Sequence, residues 1–91
     1  MSNNKKLIGI LGGGQLAKML TIAASRLGYK TSIFDPNPDS PAFAVSSSHT
    51  IGSFKDKEKL VEFVKKLGVL TFEFENIPVS SLSVLSDIVP I

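Results

Sequence analysis

Leu7-Ile8-Gly9-Ile10-Leu11-Gly12-Gly13-Gly14-Gln15-Leu16-Ala17 decides how this chain folds. An apolar run of strand length stops at three consecutive glycines, and a helical pattern begins straight after them. A strand that is apolar on both faces suits the middle of a parallel sheet, which is covered on both sides. Glycines allow a tight turn and let another group approach the main chain closely. The helix behind them offers unpaired N–H groups and the positive end of its dipole. Gly12-x-Gly14-x-x-Ala17 also fits the G-x-G-x-x-G/A pattern of a dinucleotide-binding turn. The stretch therefore predicts the first strand, turn and helix of a doubly wound α/β domain. As a functional signal the turn is weak, because close helix–strand packing without any ligand asks for the same glycines.

Working outward, Gln15–Leu27 reads as a helix with Leu16, Met19, Leu20, Ala23, Ala24 and Leu27 at i, i+3, i+4 spacing, ended by Gly28. That spacing predicts an apolar face made of these residues, with Lys18 and Arg26 in water. Lys30–Phe34 is a second strand, followed by Asp35-Pro36 and the turn-rich Asn37-Pro38-Asp39-Ser40-Pro41. Ser40 and Pro41 form an N-cap and N1 pair that opens a short helix, Pro41–Val45. His49–Ile51 is a short third strand. Asp56 caps a helix over Lys57–Leu67 whose apolar face is Leu60, Val61, Phe63, Val64 and Leu67, with Glu62 and Lys66 at i, i+4 spacing. Val69–Glu75 is a fourth strand and Val79–Leu85 a short serine-rich helix. Ile88–Ile91 opens another apolar run, which leads us to expect the N-terminal piece of a longer protein. Strands alternating with helices imply one domain over residues 1–91, with a parallel sheet and helices on both faces.

Composition narrows the function. The chain has 91 residues, 43% hydrophobic and 20% charged, with net charge +2. That suits one small globular domain. No basic cluster exceeds a pair such as Lys5-Lys6 or Lys65-Lys66, so the charge does not point to nucleic acid. The absence of cysteine removes disulfides, zinc–thiolate sites and thiol catalysis. No apolar run approaches the roughly 20 residues of a membrane span. Leu7–Leu11 behind Lys5-Lys6 is too short for a signal peptide, which leaves the cytoplasm as the default expectation.

Three features fall at the C-terminal ends of strands, where open α/β sheets bind ligands. The first is the turn Gly12-Gly13-Gly14. The second is Asp35, about 20 residues further on, where a nicotinamide- or flavin-binding domain carries an acid for a ribose hydroxyl. An aspartate that merely starts the Pro36 loop accounts for it equally well. The third is Val69-Leu70-Thr71-Phe72-Glu73-Phe74-Glu75. Alternation puts Thr71, Glu73 and Glu75 on one face of a strand that should be apolar on both. Such carboxylates need a partner or water. If this strand lies beside the first, Glu73 lines the crevice next to the glycine turn and can accept hydrogen bonds from hydroxyl or amino groups. Glu75 either does the same, emerges into solvent, caps the next helix or pairs with a basic group of another domain. His49, the only histidine, has no catalytic partner in view and reads as structural. The turn lacks the G-K-[ST] ending of a P-loop, and no serine sits in a G-x-S-x-G elbow.

Three blocks carry a family resemblance: Ile8 through Leu20 with its Gly-Gly-Gly-Gln-Leu core, Phe34-Asp35-Pro36-Asn37-Pro38-Asp39-Ser40-Pro41-Ala42, and Thr71-Phe72-Glu73-Phe74-Glu75-Asn76-Ile77-Pro78. Their order and spacing over nearly all the chain resemble the ATPase subunit family of phosphoribosylaminoimidazole carboxylase, the 5-(carboxyamino)imidazole ribonucleotide synthetases. The resemblance implies a Rossmann-like pre-ATP-grasp domain at the start of a three-domain ATP-grasp ligase of purine biosynthesis. Such an enzyme uses ATP and Mg2+ to activate bicarbonate as carboxyphosphate, then carboxylates the amine of 5-aminoimidazole ribonucleotide. The resemblance implies a homodimer, with ATP and metal held by the remaining ATP-grasp domains and none of them by this chain, which alone is expected to be inactive. It assigns no catalytic residue here. Substrate contacts carry over to Gly14, Gln15, Leu16 and Glu73, with Gly12, Gly13, Asp35 and Glu75 as further candidates. Ala17 stands where the family usually has glycine, a change the third position of the turn pattern tolerates.

Two other readings stand beside this one. A nicotinamide- or flavin-binding domain of an oxidoreductase uses the turn and Asp35 but leaves Glu73 unexplained. A non-catalytic docking module keeps the fold without its site. Sibling ATP-grasp enzymes share the fold and differ at the three blocks.

Overall fold

The computed structural model describes residues 7–74 and 77–91. The elements run β1 (Leu7–Leu11), α1 (Gln15–Arg26), β2 (Lys30–Asp35), a 3-10 turn at Pro41–Ala44, β3 (Ser48–Ile51), α2 (Lys57–Val64), β4 (Val69–Phe72) and α3 (Val79–Ser86). All pairings are parallel, in the order β3-β2-β1-β4. β1 is therefore central, pairing Leu11 with Phe34 on one side and with Phe72 on the other. The chain crosses from β3 to the far side of β1 to form β4, so the strand order reverses at the β1/β4 boundary, where crevices form in open sheets.

Alternation sorts the side chains into two cores. Leu7, Leu11, Phe34 and Leu70 pack with Phe54, with Leu60, Phe63 and Val64 of α2, and with Leu85 of α3. Ile10 and Ile33 point the other way, onto Ala17 of α1 and Ala42 of the 3-10 turn. Helices thus cover both faces, as the sequence predicts.

α1 does not bury the face its leucines suggest. Ala17 and Thr21 are its buried residues. Leu16, Met19 and Leu27 are 56%, 59% and 76% exposed. A helix that starts directly from a glycine turn lies close to the sheet, and only small side chains fit beneath it. Thr21 satisfies its own hydroxyl by donating to the Ala17 carbonyl at 2.8 Å. At the other end, Gly28 N donates to Ser25 O and Tyr29 N to Ala24 O, with Gly28 at φ +88°. This is a Schellman stop of the kind predicted for that glycine.

Other boundaries shift for local reasons. Asp56 caps α2 as expected, accepting from Lys59 N at 3.1 Å. α2 ends at Val64 rather than Leu67, and its ion pair is Lys65–Glu62 rather than Glu62–Lys66. Leu67 still packs, over the open position above Gly9. β4 ends at Phe72, because Glu73 N and Phe74 N both donate to Leu11 O, at 3.0 and 3.3 Å, and bend the chain around the end of β1. Residues 88–91 form no strand, although Pro90 O accepts from Leu70 N at 2.8 Å. His49 lies on β3 with its ring stacked on Phe43 at 4.2 Å, a packing role.

Candidate functional site

The three glycines lie where β1 ends, between the β2 and β4 termini. Gly12 adopts φ +110°. Its N–H continues the ladder to Phe34 O at 2.8 Å. Gly13 N donates to Asp35 Oδ2 at 2.8 Å, and Gly14 N to Glu73 Oε1 at 3.3 Å. Every N–H of the glycine turn is thus directed at an acceptor of the protein itself, and two of the three acceptors are carboxylates.

Asp35 does what a loop-starting aspartate does. Besides holding Gly13, its Oδ1 accepts from Asn37 N at 2.8 Å, an Asx turn. Asn37 Oδ1 in turn accepts from Asp39 N at 2.9 Å. Of the two roles open to it from sequence, this is the one with visible partners. Ser40 and Ala42 belong to the same assembly and were not candidates from the sequence. Ala42 N donates to Gly13 O at 2.9 Å, and a Cβ on Gly13 would meet the Ser40 Cβ at 2.8 Å. The signal was present in the turn-rich Asn37–Pro41 string, which had to close against something.

Glu73 reaches the turn from the opposite side, just past the end of β4. It is half-buried, and a Cβ on Gly12 would lie 2.8 Å from its Oε1. Next to it, Phe74 stacks on Phe54 at 4.7 Å, giving the crevice an aromatic flank. Gln15 and Leu16 open α1 beside Gly14 and are exposed; α1 has no side-chain N-cap. Gly12, Gly13, Gly14, Gln15, Leu16, Asp35 and Glu73 therefore converge on one end of the sheet. Glu75 lies outside the described residues.

Two carboxylates, neither of them ion-paired among the described residues, set the character of the crevice. A phosphate placed at the turn would face like charge at short range and would have to displace both carboxylates. Hydroxyl and amino donors match it instead. The turn therefore does not fit the phosphates of ATP or the pyrophosphate of a dinucleotide. Among the described residues no cluster of His, Asp or Glu could hold a metal ion, and no helix is long and apolar enough to cross a membrane.

The family described as "Ribonucleotide synthetase preATP-grasp domain" matches residues 5–91. An N5-carboxyaminoimidazole ribonucleotide synthase of Brucella melitensis is 42% identical over 80 residues, covering 88% of this chain and 22% of that protein. The N5-carboxyaminoimidazole synthetase of Staphylococcus aureus, crystallised with ADP, superposes with a TM-score of 0.90 at 35% identity, over 100% of this chain and 26% of that one. The Aspergillus clavatus enzyme, crystallised with ADP and 5-aminoimidazole ribonucleotide, gives a TM-score of 0.85 at 35% identity, over 100% of this chain and 24% of that one. The chain thus spans about a quarter of these relatives or less.

Proposed function

This chain belongs to the ribonucleotide synthetase preATP-grasp family, and from that premise we propose that it is the substrate-binding first domain of an ATP-grasp ligase that carboxylates 5-aminoimidazole ribonucleotide. The observation that carries the reading is the Glu73 carboxylate set against the glycine turn at 3.3 Å. Glu73 accepts hydrogen bonds from the ribose hydroxyls, while the start of α1 at Gln15 and Leu16 presents main-chain donors to the ribonucleotide. The ribonucleotide phosphate points away from this acidic end, towards cations outside the described residues. That an Aspergillus clavatus relative was crystallised with this ribonucleotide supports the choice of ligand.

In the complete enzyme, three domains work on ATP, Mg2+ and bicarbonate through carboxyphosphate, as a cytoplasmic homodimer. Residues 1–91 form the first of these domains. ATP supplies the phosphoryl group that activates bicarbonate, and other domains bind it. This chain holds and orients the acceptor amine's ribonucleotide. The oxidoreductase reading is not favoured, because the turn is filled by two carboxylates where a pyrophosphate would sit.

Calorimetric titration of the chain with 5-aminoimidazole ribonucleotide and, separately, with NADH tests the proposal. Saturable binding of the ribonucleotide, weakened in Glu73→Ala, is expected. Tighter binding of NADH would overturn it.

A further inference from the structure

We propose that Asp35 is a positioning residue for the ribonucleotide crevice and not a contact to the ligand. The two acids of the site are used differently. Asp35 is engaged twice at 2.8 Å, by Gly13 N on one oxygen and by Asn37 N on the other. Glu73 makes one longer bond, 3.3 Å to Gly14 N, and its second oxygen has no donor among the described residues. A carboxylate holding two main-chain N–H groups in short charge-assisted bonds is fixed. One holding a single long bond is free to exchange it for a ligand hydroxyl.

The grip of Asp35 is on the peptide framework of the turn. Gly13 is tied at its N–H by Asp35 and at its carbonyl by Ala42 N, so the β2 end and the 3-10 turn clasp one residue from both sides. The clasp is braced by the Ser40 hydroxyl, which donates to Asn37 O at 2.8 Å. The fit is tight enough that any side chain on Gly13 would strike Ser40. Gly13 directly precedes Gly14, the residue that faces Glu73 and stands at the N-cap of α1. Fixing Gly13 therefore fixes where the Gly14 N–H and the first N–H groups of α1 point. The inference rests on the ribonucleotide reading of the crevice, and the test separates the two.

Asp35→Asn keeps the shape and one acceptor but sets an amide NH2 against one of the two main-chain donors. Hydrogen exchange of the Gly13 amide, followed by NMR in the full chain, should accelerate at least about tenfold, and the ribonucleotide Kd should rise about tenfold, the scale of one charge-assisted hydrogen bond. Glu73→Ala should raise Kd while leaving exchange at Gly13 unchanged. Gly13→Ala, which opens the clasp with Asp35 intact, should weaken binding as Asp35→Asn does and serves if Asp35→Asn fails to fold. Weakened binding in Asp35→Asn with Gly13 exchange unaltered would make Asp35 a ligand contact and overturn the proposal. So would faster exchange with unaltered Kd. A wild-type chain that binds no ribonucleotide overturns the functional reading and the ligand half of this inference together, and exchange at Gly13 then decides the clasp alone.

Discussion

Glu73 Oε1 accepts the N–H of Gly14 from across the mouth of the sheet, at 3.3 Å. The two residues are far apart in sequence and meet only because β4 is inserted beside β1 rather than added outside β3. The position of that one strand converts a dinucleotide-like turn into an acidic crevice. The same glycines that leave a pyrophosphate room to approach in other domains here leave room for a carboxylate.

Gly12 is where that room is tightest. Its φ of +110° strains any L side chain, and an added Cβ would meet Glu73 Oε1 at 2.8 Å and the Phe74 nitrogen at 3.1 Å. Glu73 can swing away, but the Phe74 main chain is held to Leu11 O. Gly12→Ala should therefore destabilise the fold by about 1–3 kcal/mol through backbone strain. Urea unfolding with an unchanged m-value is the measurement, and a midpoint equal to wild type would contradict the geometry.

Glu73 should matter to the ligand and little to the fold. Glu73→Gln retains an acceptor for the Gly14 N–H but loses the charge, so thermal unfolding should change by less than about 0.5 kcal/mol. Its ribonucleotide affinity should fall by about 1.5–3 kcal/mol, the worth of hydrogen bonds to a charged acceptor. Calorimetry and melting of the same sample read both. A large loss of stability with intact affinity would make Glu73 a structural residue.

The sequence was most legible where one residue type has one physical use. The β1 run, Gly28, Asp56 and the Asp35-Pro36 break each act locally, and each stands where its chemistry puts it. The placement of Glu73 beside the glycine turn was also readable, because a carboxylate at the C-terminal end of a strand that lies next to β1 has few places to go. Periodicity points to the wrong face of α1 because it counts leucines, whereas Ala17 and Thr21 are the residues the helix buries against the sheet. The second use of Asp35 could not be read, since its partner Gly13 is brought to it by β1–β2 pairing and carries no side chain to signal it.

That reversal on α1 is testable in one pair of variants. Ala17 is fully buried against Ile10, Ile33 and Ala42, while Leu27 is 76% exposed. Ala17→Leu, a change the helical pattern alone would welcome, should destabilise by about 1–3 kcal/mol through overpacking. Leu27→Lys, which that pattern would call a core disruption, should stay within about 0.5 kcal/mol of wild type. Chemical denaturation decides, and the opposite ranking would mean that α1 packs through its leucines.

The last prediction concerns what this chain does alone. Transfer of a phosphoryl group to bicarbonate needs cations or metal aimed at the developing charge. The turn instead presents Asp35 and Glu73, and among the described residues nothing clusters to hold a metal. Lys59, the lysine whose ammonium is fixed near this end of the sheet, already donates to Ile51 O at 3.0 Å. Supplied with ATP, Mg2+, bicarbonate and 5-aminoimidazole ribonucleotide, the 91-residue chain should release no ADP above the uncatalysed background, yet still bind the ribonucleotide. A coupled ADP assay beside the calorimetric titration separates binding from chemistry. Turnover by the chain alone would place catalytic groups where the geometry offers two carboxylates held against a glycine turn, and would require the site to be rebuilt around a different set of residues.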